Sequence, residues 1–267
     1  MKKFGILLLV ALAACNGDST GSRGSLAGQW LLRIRGSTPQ SFNGCQVVGA
    51  VRLTGGGDSF SGRMPVPEAA CGGSYAPAFD STTTVTAQVV ADSVLLTVRA
   101  NGYELRQTAR LLGDSLGGTG SDGWSLVAAR RYPDNVPLDR ATVRLTGAVT
   151  RTVELYGYGF WNGLRFVSAA KDEGVLLLAT NASLPALGVG TYGVSHSTAT
   201  PLYGDYQRFS GNKVDPYVEF TSGAVTITQA DAQLVTGTVD VTGSLNDGPE
   251  QVRVQIDFTS HRSGFPQ

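Results

Sequence analysis

The stretch Gln251-Val252-Arg253-Val254-Gln255-Ile256-Asp257-Phe258 alternates strictly between polar and apolar side chains. Successive side chains of a β-strand point to opposite faces, so this period of two predicts a strand with one buried face. The same alternation occurs near the start of the chain, where Trp30, Leu32 and Ile34 share one face and Arg33 and Arg35 the other. Because the first half of the chain shows no convincing 3.6-residue period, the sequence predicts an all-β protein.

Further segments rich in Val, Thr, Leu and aromatic residues predict the remaining strands. In the first half these are Gln46–Leu53, Ser59–Arg63, Thr83–Val90, Val94–Arg99, Tyr103–Leu111, Ser115–Thr119 and Ser125–Arg130. In the second half they are Thr142–Thr146, Thr152–Phe160, Leu164–Ala169, Gly174–Thr180, Gly190–Ser195, Tyr217–Thr221, Val225–Gln229 and Val235–Thr242, besides the stretch quoted above. The pairs Asp58-Ser59, Asp92-Ser93 and Asp114-Ser115 precede apolar residues, and we interpret them as tight turns before strands.

A polar stretch with two prolines, Pro133 and Pro137, separates two sets of strands and predicts a linker at residues 132–140. About eight short strands over residues 26–131 favour a small up-and-down barrel. Gly28-Gln29-Trp30 resembles the Gly-x-Trp motif of the first strand in lipocalin-like proteins. That resemblance implies that Arg130 or Arg131, at the end of the last strand, stacks on Trp30 and closes the barrel.

Residues 141–260 are predicted to form an antiparallel β-sandwich, followed by a polar tail at residues 261–267. The segments Thr221–Thr228 and Val235–Val239 resemble the closing hairpin of small β-sandwich domains found on bacterial lipoproteins of unknown function. Gly188-Val189-Gly190-Thr191-Tyr192 fits the Gly-x-Gly-x-Tyr turn that precedes this hairpin in those domains. The shared motifs are structural, so the resemblance implies no catalytic residues.

The first 14 residues predict a signal peptide. Lys2 and Lys3 precede the apolar stretch Phe4–Leu12, and small residues then lead to Cys15. This layout, ending in Leu12-Ala13-Ala14-Cys15, resembles a bacterial lipoprotein signal peptide. It implies cleavage before Cys15, acylation (a palmitate-type anchor) at that residue, and a flexible tether over residues 15–25. An ordinary secretory signal with a chance cysteine is the alternative, and both interpretations put the mature chain outside the cytoplasm.

Asn16 follows the cysteine, which resembles lipoproteins sorted to the outer membrane. We therefore expect a location in the bacterial cell envelope, with the membrane as a partner through the lipid. Removing residues 1–14 takes away two lysines and no acid, which leaves 19 basic and 21 acidic side chains. This balance gives no basic face for nucleic acid. A hydrophobic fraction of 42% is too high for a chain disordered throughout.

Lipidation of Cys15 would leave two cysteines, Cys45 and Cys71, and an exported protein favours their pairing as a disulfide. On the chain-entropy model this loop of about 26 residues would add roughly 3.5 kcal/mol of stability. A metal site is the alternative, but zinc would need further ligands, and His196 and His261 are remote in sequence. We expect no metal and no cofactor.

The sequence shows no recognisable catalytic motif. Ser195 and His196 are neighbours on a predicted strand and would point to opposite faces, and no Gly-x-Ser-x-Gly motif is present. His261 is expected to be solvated in the polar tail. Asp172 and Glu173 are expected to lie in an exposed turn rather than to face one sugar bond.

Aromatic residues are the best indication of a binding surface. Tyr156, Tyr158 and Phe160 share one face of a strand, and we expect them to fill the sandwich core. The segment Ser197–Pro216 is predicted to be a long irregular loop. The possible binding surface there, on and just beyond the loop, comprises Tyr203, Asp205, Tyr206, Asn212 and Tyr217, a mixture that suits a glycan, a small ligand or an envelope partner.

These observations favour a lipid-anchored, non-enzymatic binding or structural protein of the envelope. One alternative is a carrier that encloses a small apolar ligand in the first barrel. Another alternative is an envelope hydrolase whose site is assembled from dispersed acids with a perturbed pKa.

Overall fold

The computed structural model of the chain describes residues 25–36, 46–65, 67–71, 74–75, 83–100, 103–120, 124–160, 163–179, 188–196, 200–231 and 234–261. Every regular element among them is a β-strand, so the all-β prediction is confirmed. The strands belong to two separate sheets, one in each half of the chain.

The first sheet contains ten strands. They are β1 (Gly28–Gly36), β2 (Gln46–Gly56), β3 (Ser59–Arg63), β4 (Glu68–Cys71), β5 (Ser74–Tyr75), β6 (Thr84–Val90), β7 (Ser93–Ala100), β8 (Tyr103–Leu112), β9 (Ser115–Gly120) and β10 (Trp124–Tyr132). Eight of them follow one another in the order β1-β10-β9-β8-β7-β6-β3-β2, and pairing of β1 with β2 closes the ring. The short β4–β5 hairpin extends from β2 outside this ring. The first half of the chain is therefore a closed, eight-stranded antiparallel barrel.

The second sheet contains nine strands. They are β11 (Arg140–Gly147), β12 (Arg151–Phe160), β13 (Gly163–Val167), β14 (Glu173–Ala179), β15 (Gly190–Gly193), β16 (Leu202–Ser210), β17 (Lys213–Ala230), β18 (Leu234–Leu245) and β19 (Gln251–His261). Eight of them form the ring β17-β16-β14-β13-β12-β11-β19-β18, which pairing of β17 with β18 closes. The second half is thus also a closed barrel, not the two stacked sheets that we expected.

The strand β17 explains this difference. The sequence suggested two strands, Tyr217–Thr221 and Val225–Gln229, whereas the structure joins them in one strand of 18 residues. A register shift between Phe220 and Ser222, followed by Gly223 with φ of 126°, marks the point where the strand changes neighbours. Its first part pairs with β16, and its later part pairs with β15 on the same edge. Such a bulge bends a strand, so one continuous sheet can curve round and close.

The tight turns agree with the sequence interpretation. The serines of the three Asp-Ser pairs begin β3, β7 and β9, and each aspartate lies in the two-residue turn before the strand. Ahead of each aspartate, the first turn residue has a positive φ: 60° at Gly57, 51° at Ala91 and 64° at Gly113. Two-residue turns with a positive φ at the first position have a twist that matches the twist of the antiparallel strands they join. The aspartates therefore have a structural role at hairpin tips.

Each barrel has its own apolar interior. The first encloses Trp30, Leu32 and Ile34, all less than 2% exposed, together with apolar residues of the neighbouring strands. The second encloses alternate residues of β19, including Val252, Val254 and Ile256, as the quoted stretch predicted. Because alternate residues of each strand point into a closed barrel, each half of the chain forms its own core.

A third, smaller apolar cluster joins the two barrels. It contains Leu31 and Val48 from the first barrel, Tyr132 and Leu138 from the connecting segment, and Leu234 from the second barrel. The connection at residues 132–140 is therefore packed against both barrels, and its turns are held by hydrogen bonds such as that from the Val136 amide to the Pro133 carbonyl.

Candidate functional site

The residues proposed for binding lie on two adjacent strands rather than in a long loop. The segment predicted to be irregular contains β16 and the start of β17, joined by a two-residue turn that includes Asn212. Tyr203 is 42% exposed, and Asp205 and Tyr217 are half-buried on the outer face of the second barrel. The structure therefore brings Tyr203, Asp205 and Tyr217 to one outer surface.

Tyr206 does not belong to that surface. It is fully buried, because Tyr206 follows Asp205 on β16 and the pleat turns it towards the barrel interior. The expectation that Tyr206 is part of an exposed binding site is therefore wrong.

A groove of about 280 Å³ crosses β13, β14 and β16 on the outside of the second barrel. Residues that line it include Arg165, Lys171, Leu176, Asp205, Gln207 and Phe209, and we call it the outer groove. Register aligns Arg165, Leu176, Asp205 and Glu219 in one row across four strands. The next row consists of Val167, Gly174, Gln207 and Tyr217. Gly174 contributes no side chain to this row, and a Cβ atom there would lie only 2.9 Å from the carbonyl oxygen of Phe166.

Asp205 is the unusual charge in the outer groove. Burial raises the pKa of its carboxyl group above the ordinary value, and the nearby charge of Glu219 raises this pKa further, while a hydrogen bond with Gln207 opposes both effects. Among the described residues, Asp205 forms no ion pair with a cationic side chain. A half-buried carboxylate without a counter-ion is poised to accept hydrogen bonds from a ligand.

Glu219 is a second acid beside Asp205, just beyond the outer groove. It lies directly opposite Asp205 on β17, and its Oε1 is 2.6 Å from Nδ1 of His196. His196 is exposed, and its pairing with Glu219 was not predictable from the sequence. Burial raises the pKa of the Tyr217 hydroxyl group, and the charges of Asp205 and Glu219 reinforce that rise. Two acids, a phenol and an imidazole therefore occupy one part of the outer face.

A buried polar cluster supports this surface from inside the barrel. The hydroxyl of Tyr206 donates a hydrogen bond to Glu173, and Arg151 binds the same carboxylate through two contacts of 2.9 and 2.8 Å. Glu173, expected in an exposed turn, is only 4% exposed at the start of β14. Burial is the main reason that the pKa of Tyr206 is raised, and its bond to Glu173 adds to this. The cluster ties β16 to β14 and so fixes the backbone that carries Asp205 and Gln207.

The contact between the barrels contains a second buried pair. Oδ2 of Asp139 accepts a hydrogen bond from the Ala50 amide at 2.9 Å, and Oδ1 accepts one from the His261 amide at 2.8 Å. The Nδ1 atom of His261 lies 2.7 and 2.8 Å from the two carboxylate oxygens. His261 is the last residue of β19 and is fully buried, so the expectation of a solvated histidine in a polar tail is wrong.

The strand register does not support the predicted stack of Arg130 on Trp30. Cross-strand register places Arg131 opposite Trp30, whereas Arg130 is opposite Leu31 and lies 5.5 Å from the Tyr132 ring centroid. Directly opposed residues share a face of the sheet, so Arg131 is the arginine on the side of Trp30. The guanidinium of Arg131 donates to the carbonyl of Ala27 at 2.6 Å, and the indole N–H of Trp30 donates to Leu26.

Other predicted features fall partly or wholly outside the described residues. Cys15 and Cys45 are outside them, and Cys71 is described only through its place in β4. Tyr156 is half-buried, with the Arg140 guanidinium 5.8 Å from its ring centroid, so this member of the aromatic stripe is not in the core.

Within the described ranges, no three His, Cys, Asp or Glu side chains are grouped so as to hold a metal ion. Those ranges also contain no helix with the length and apolar character needed to cross a bilayer.

Comparison with known proteins identifies no family. No family of known proteins matches the sequence, and no curated protein matches it. Among solved structures, kievitone hydratase from Nectria haematococca is similar over 88% of this chain and 90% of that chain, with 12% identity and a TM-score of 0.19. A likeness at this level carries no argument about function.

Proposed function

We propose that this chain is a lipid-anchored, non-enzymatic binding protein of the bacterial cell envelope that holds a glycan in the outer groove of its second barrel. The observation that carries the proposal is Asp205, a half-buried carboxylate with a raised pKa and no counter-ion among the described residues. A protein keeps such a group at a cost in stability, and ligand recognition is a reason for keeping it.

The chemistry of the groove favours a sugar over a purely apolar ligand. Asp205 accepts hydrogen bonds, and Gln207 both donates and accepts them, which suits adjacent hydroxyl groups. Phe209 and Tyr217 offer ring faces and edges beside these polar groups. The volume of about 280 Å³ is close to the lower end for ligand sites and suits one or two sugar rings.

The location rests on the N-terminal sequence. Lys2, Lys3, the apolar stretch that follows and Cys15 support export and lipid attachment, and Asn16 supports the outer membrane. An anchor at the start of the mature chain, followed by a tether of about ten residues, would leave the outer groove free to meet envelope polysaccharides. Gly28-Gln29-Trp30 on β1 and Arg131 on β10 support a lipocalin-like origin for the first barrel.

Binding of the full-length chain, purified in detergent, to an array of bacterial polysaccharide fragments tests the proposal. We expect selective binding to a subset of fragments, and we expect Asp205→Asn to weaken it about tenfold or more. Hydrogen bonds to a charged group contribute roughly 1.5–3 kcal/mol, which corresponds to a change of that order.

The matched control is Asp257→Asn. Asp257 is an exposed acid on the outer face of the same barrel, where it pairs with Arg144 at 2.6 Å on the distant strands β19 and β11. This variant should bind like the wild type. Equal binding by Asp205→Asn and the wild type, or no glycan bound by the wild type, would contradict the proposal.

The pair of acids also supports a hydrolase as a second candidate. Asp205 and Glu219 are direct cross-strand neighbours, and the pKa of Asp205 is raised. Two neighbouring carboxyl groups with different pKa values can act as the acid and the base of a hydrolytic reaction. Incubation of the bound glycan with the protein would distinguish the two functions. New reducing ends that disappear in Asp205→Asn would favour the hydrolase, and an intact glycan would favour simple binding.

A carrier function of the first barrel has a different basis. Its interior positions are filled by Trp30, Phe60 and Met64, which are at most 5% exposed. Yet the amide of Gln107, which is 1% exposed, has no hydrogen-bond partner for its nitrogen or its oxygen within the described residues. A small ligand with one donor and one acceptor would satisfy that amide, and the quenching of tryptophan fluorescence by candidate ligands would detect it.

A further inference from the structure

A cleft of about 60 Å³ lies between the two barrels, away from the outer groove. The first barrel contributes Arg52 on β2 and Arg63 on β3 to its walls. The second barrel contributes Arg140 on β11 and Tyr156 on β12. Ligand sites often form where two structural units meet, because side chains from both can reach one small molecule.

The cleft carries an excess of positive charge. Its walls contain three arginines and a single acid, Asp139. Both carboxylate oxygens of Asp139 accept hydrogen bonds from the Ala50 amide or from His261, and among the described residues neither forms an ion pair with an arginine of the cleft.

Two of the three arginines have no carboxylate partner among the residues that the structure describes. Arg63 and Arg140 form no ion pair with any acid of the described residues, and Arg140 instead lies over the Tyr156 ring. Arg52 pairs with Asp134 at 3.4 Å, but both side chains are largely exposed, at 46% and 64%. An exposed pair of this kind is worth little, so Arg52 can exchange Asp134 for a stronger anion.

We infer that this cleft binds the phosphate group of a phosphate monoester. A phosphate monoester carries close to two negative charges near neutral pH and presents three acceptor oxygens. Planar guanidinium groups match such oxygens in pairs, and arginines from two barrels can approach from different sides. The small volume of the cleft suits the phosphate group itself, with the rest of the molecule extending into solvent.

Titration of the full-length chain in detergent with inorganic phosphate, at constant ionic strength set by chloride, tests this inference. We expect saturable binding by calorimetry and a rise in the melting temperature, because the ligand contacts both barrels. The double variant Arg63→Gln/Arg140→Gln should bind phosphate at least tenfold more weakly.

The control variant is Arg144→Gln, which makes the same substitution on the strand that carries Arg140 but at a site paired with Asp257. It should bind phosphate like the wild type. Melting temperatures without phosphate show whether each variant is folded, and exposed arginines of this kind should tolerate the change. Absence of phosphate binding in the wild type, or equal binding by the wild type and the folded double variant, would overturn the inference.

A second comparison identifies the source of the phosphate. The wild type and the double variant are mixed with vesicles of phosphatidylcholine, with and without phosphatidic acid. The lipid anchor proposed at Cys15 is common to both proteins, so a difference between them only on phosphatidic acid indicates a lipid headgroup. Equal retention on both vesicles, together with a difference towards inorganic phosphate, indicates a soluble phosphate monoester.

Discussion

Replacing Asp139 with alanine should reveal how much one buried carboxylate contributes to holding the two barrels together. The change removes hydrogen bonds to the amides of Ala50 and His261 and leaves the buried His261 ring without its carboxylate partner. Each buried donor left without its acceptor costs about 1–3 kcal/mol, so losing this carboxylate, which serves three donors, should cost about 3–5 kcal/mol. We expect the free energy of unfolding of Asp139→Ala to fall by that amount, which corresponds to a loss of roughly 6–20 °C in melting temperature for a chain of this size.

The backbone adds a second, smaller cost. Asp139 has a φ of 56°, a conformation that aspartate and asparagine tolerate better than alanine does. Asparagine tolerates this positive φ as aspartate does and keeps one acceptor oxygen. The free energy of unfolding of Asp139→Asn should therefore fall by only about 1–2 kcal/mol. The expected order of stability is therefore wild type, then Asp139→Asn, then Asp139→Ala.

Equilibrium urea unfolding of the full-length chain, with thermal unfolding alongside it, measures both variants. Asp134→Ala is the control, because Asp134 lies in the same connecting segment but is 64% exposed in its pair with Arg52. Its loss should be at most about 1 kcal/mol. If Asp139→Ala is no less stable than Asp134→Ala, the buried pair does not hold the barrels together and the reasoning is refuted.

Four other outcomes are expected. Tyr206→Phe removes a buried hydrogen bond to a carboxylate and should lower the free energy of unfolding by about 1.5–3 kcal/mol in urea. The pKa of Asp205 is raised in the folded state, so the folded chain binds this proton more tightly than the unfolded chain does. The stability of the wild type should therefore fall as pH rises from the unfolded-state pKa through the folded-state pKa of Asp205. The pH-dependent unfolding of Asp205→Asn should lack that decrease. Cys15→Ala should block signal-peptide cleavage and labelling with radioactive palmitate. Mass spectrometry without reductant should detect a peptide linking Cys45 and Cys71, whose sequence neighbours Gln46 and Ala70 are paired between β2 and β4.

Each of these outcomes can be contradicted by a simple result. For Tyr206, the comparison is Tyr203→Phe, which changes an exposed ring and should be nearly neutral. A pH profile of Asp205→Asn that parallels the wild type would show that this carboxyl group has an ordinary pKa. Palmitate incorporation into Cys15→Ala, or two alkylated thiols in folded exported protein, would contradict the anchor and the disulfide respectively.

The strands could be predicted from the sequence because their signal is local. Each has one buried face, so alternation of apolar residues was visible in segments such as Gln251–Phe258. Closure of the second sheet was not predictable in this way, since it depends on the pairing of β17 with two sets of neighbours. The residues between the two predicted strands, Ser222, Gly223 and Ala224, indicated a break that the structure does not have.

The site was partly predictable for the same reason. Leu202, Gly204 and Tyr206 have the same parity on β16, so recognising that strand would have assigned Tyr206 to the interior and Asp205 to the surface. The burial of His261 had no local sign, because its neighbours Thr259 and Ser260 are polar. Its partner Asp139 lies 122 residues away and is recognisable only in the folded chain.

The order in which the two rings close has a consequence for synthesis of the chain. The first ring is complete once β10 pairs with β1, so it can fold while later strands are still emerging. The second ring needs its final strand β19 beside β11, a pairing that joins Arg140 to Thr259. Because His261 ends that strand, docking of the two barrels through Asp139 occurs only when the second barrel is finished. A chain stalled or clipped before β19 would therefore expose both an open sheet edge and the side chain of Asp139, and proteases would remove it selectively.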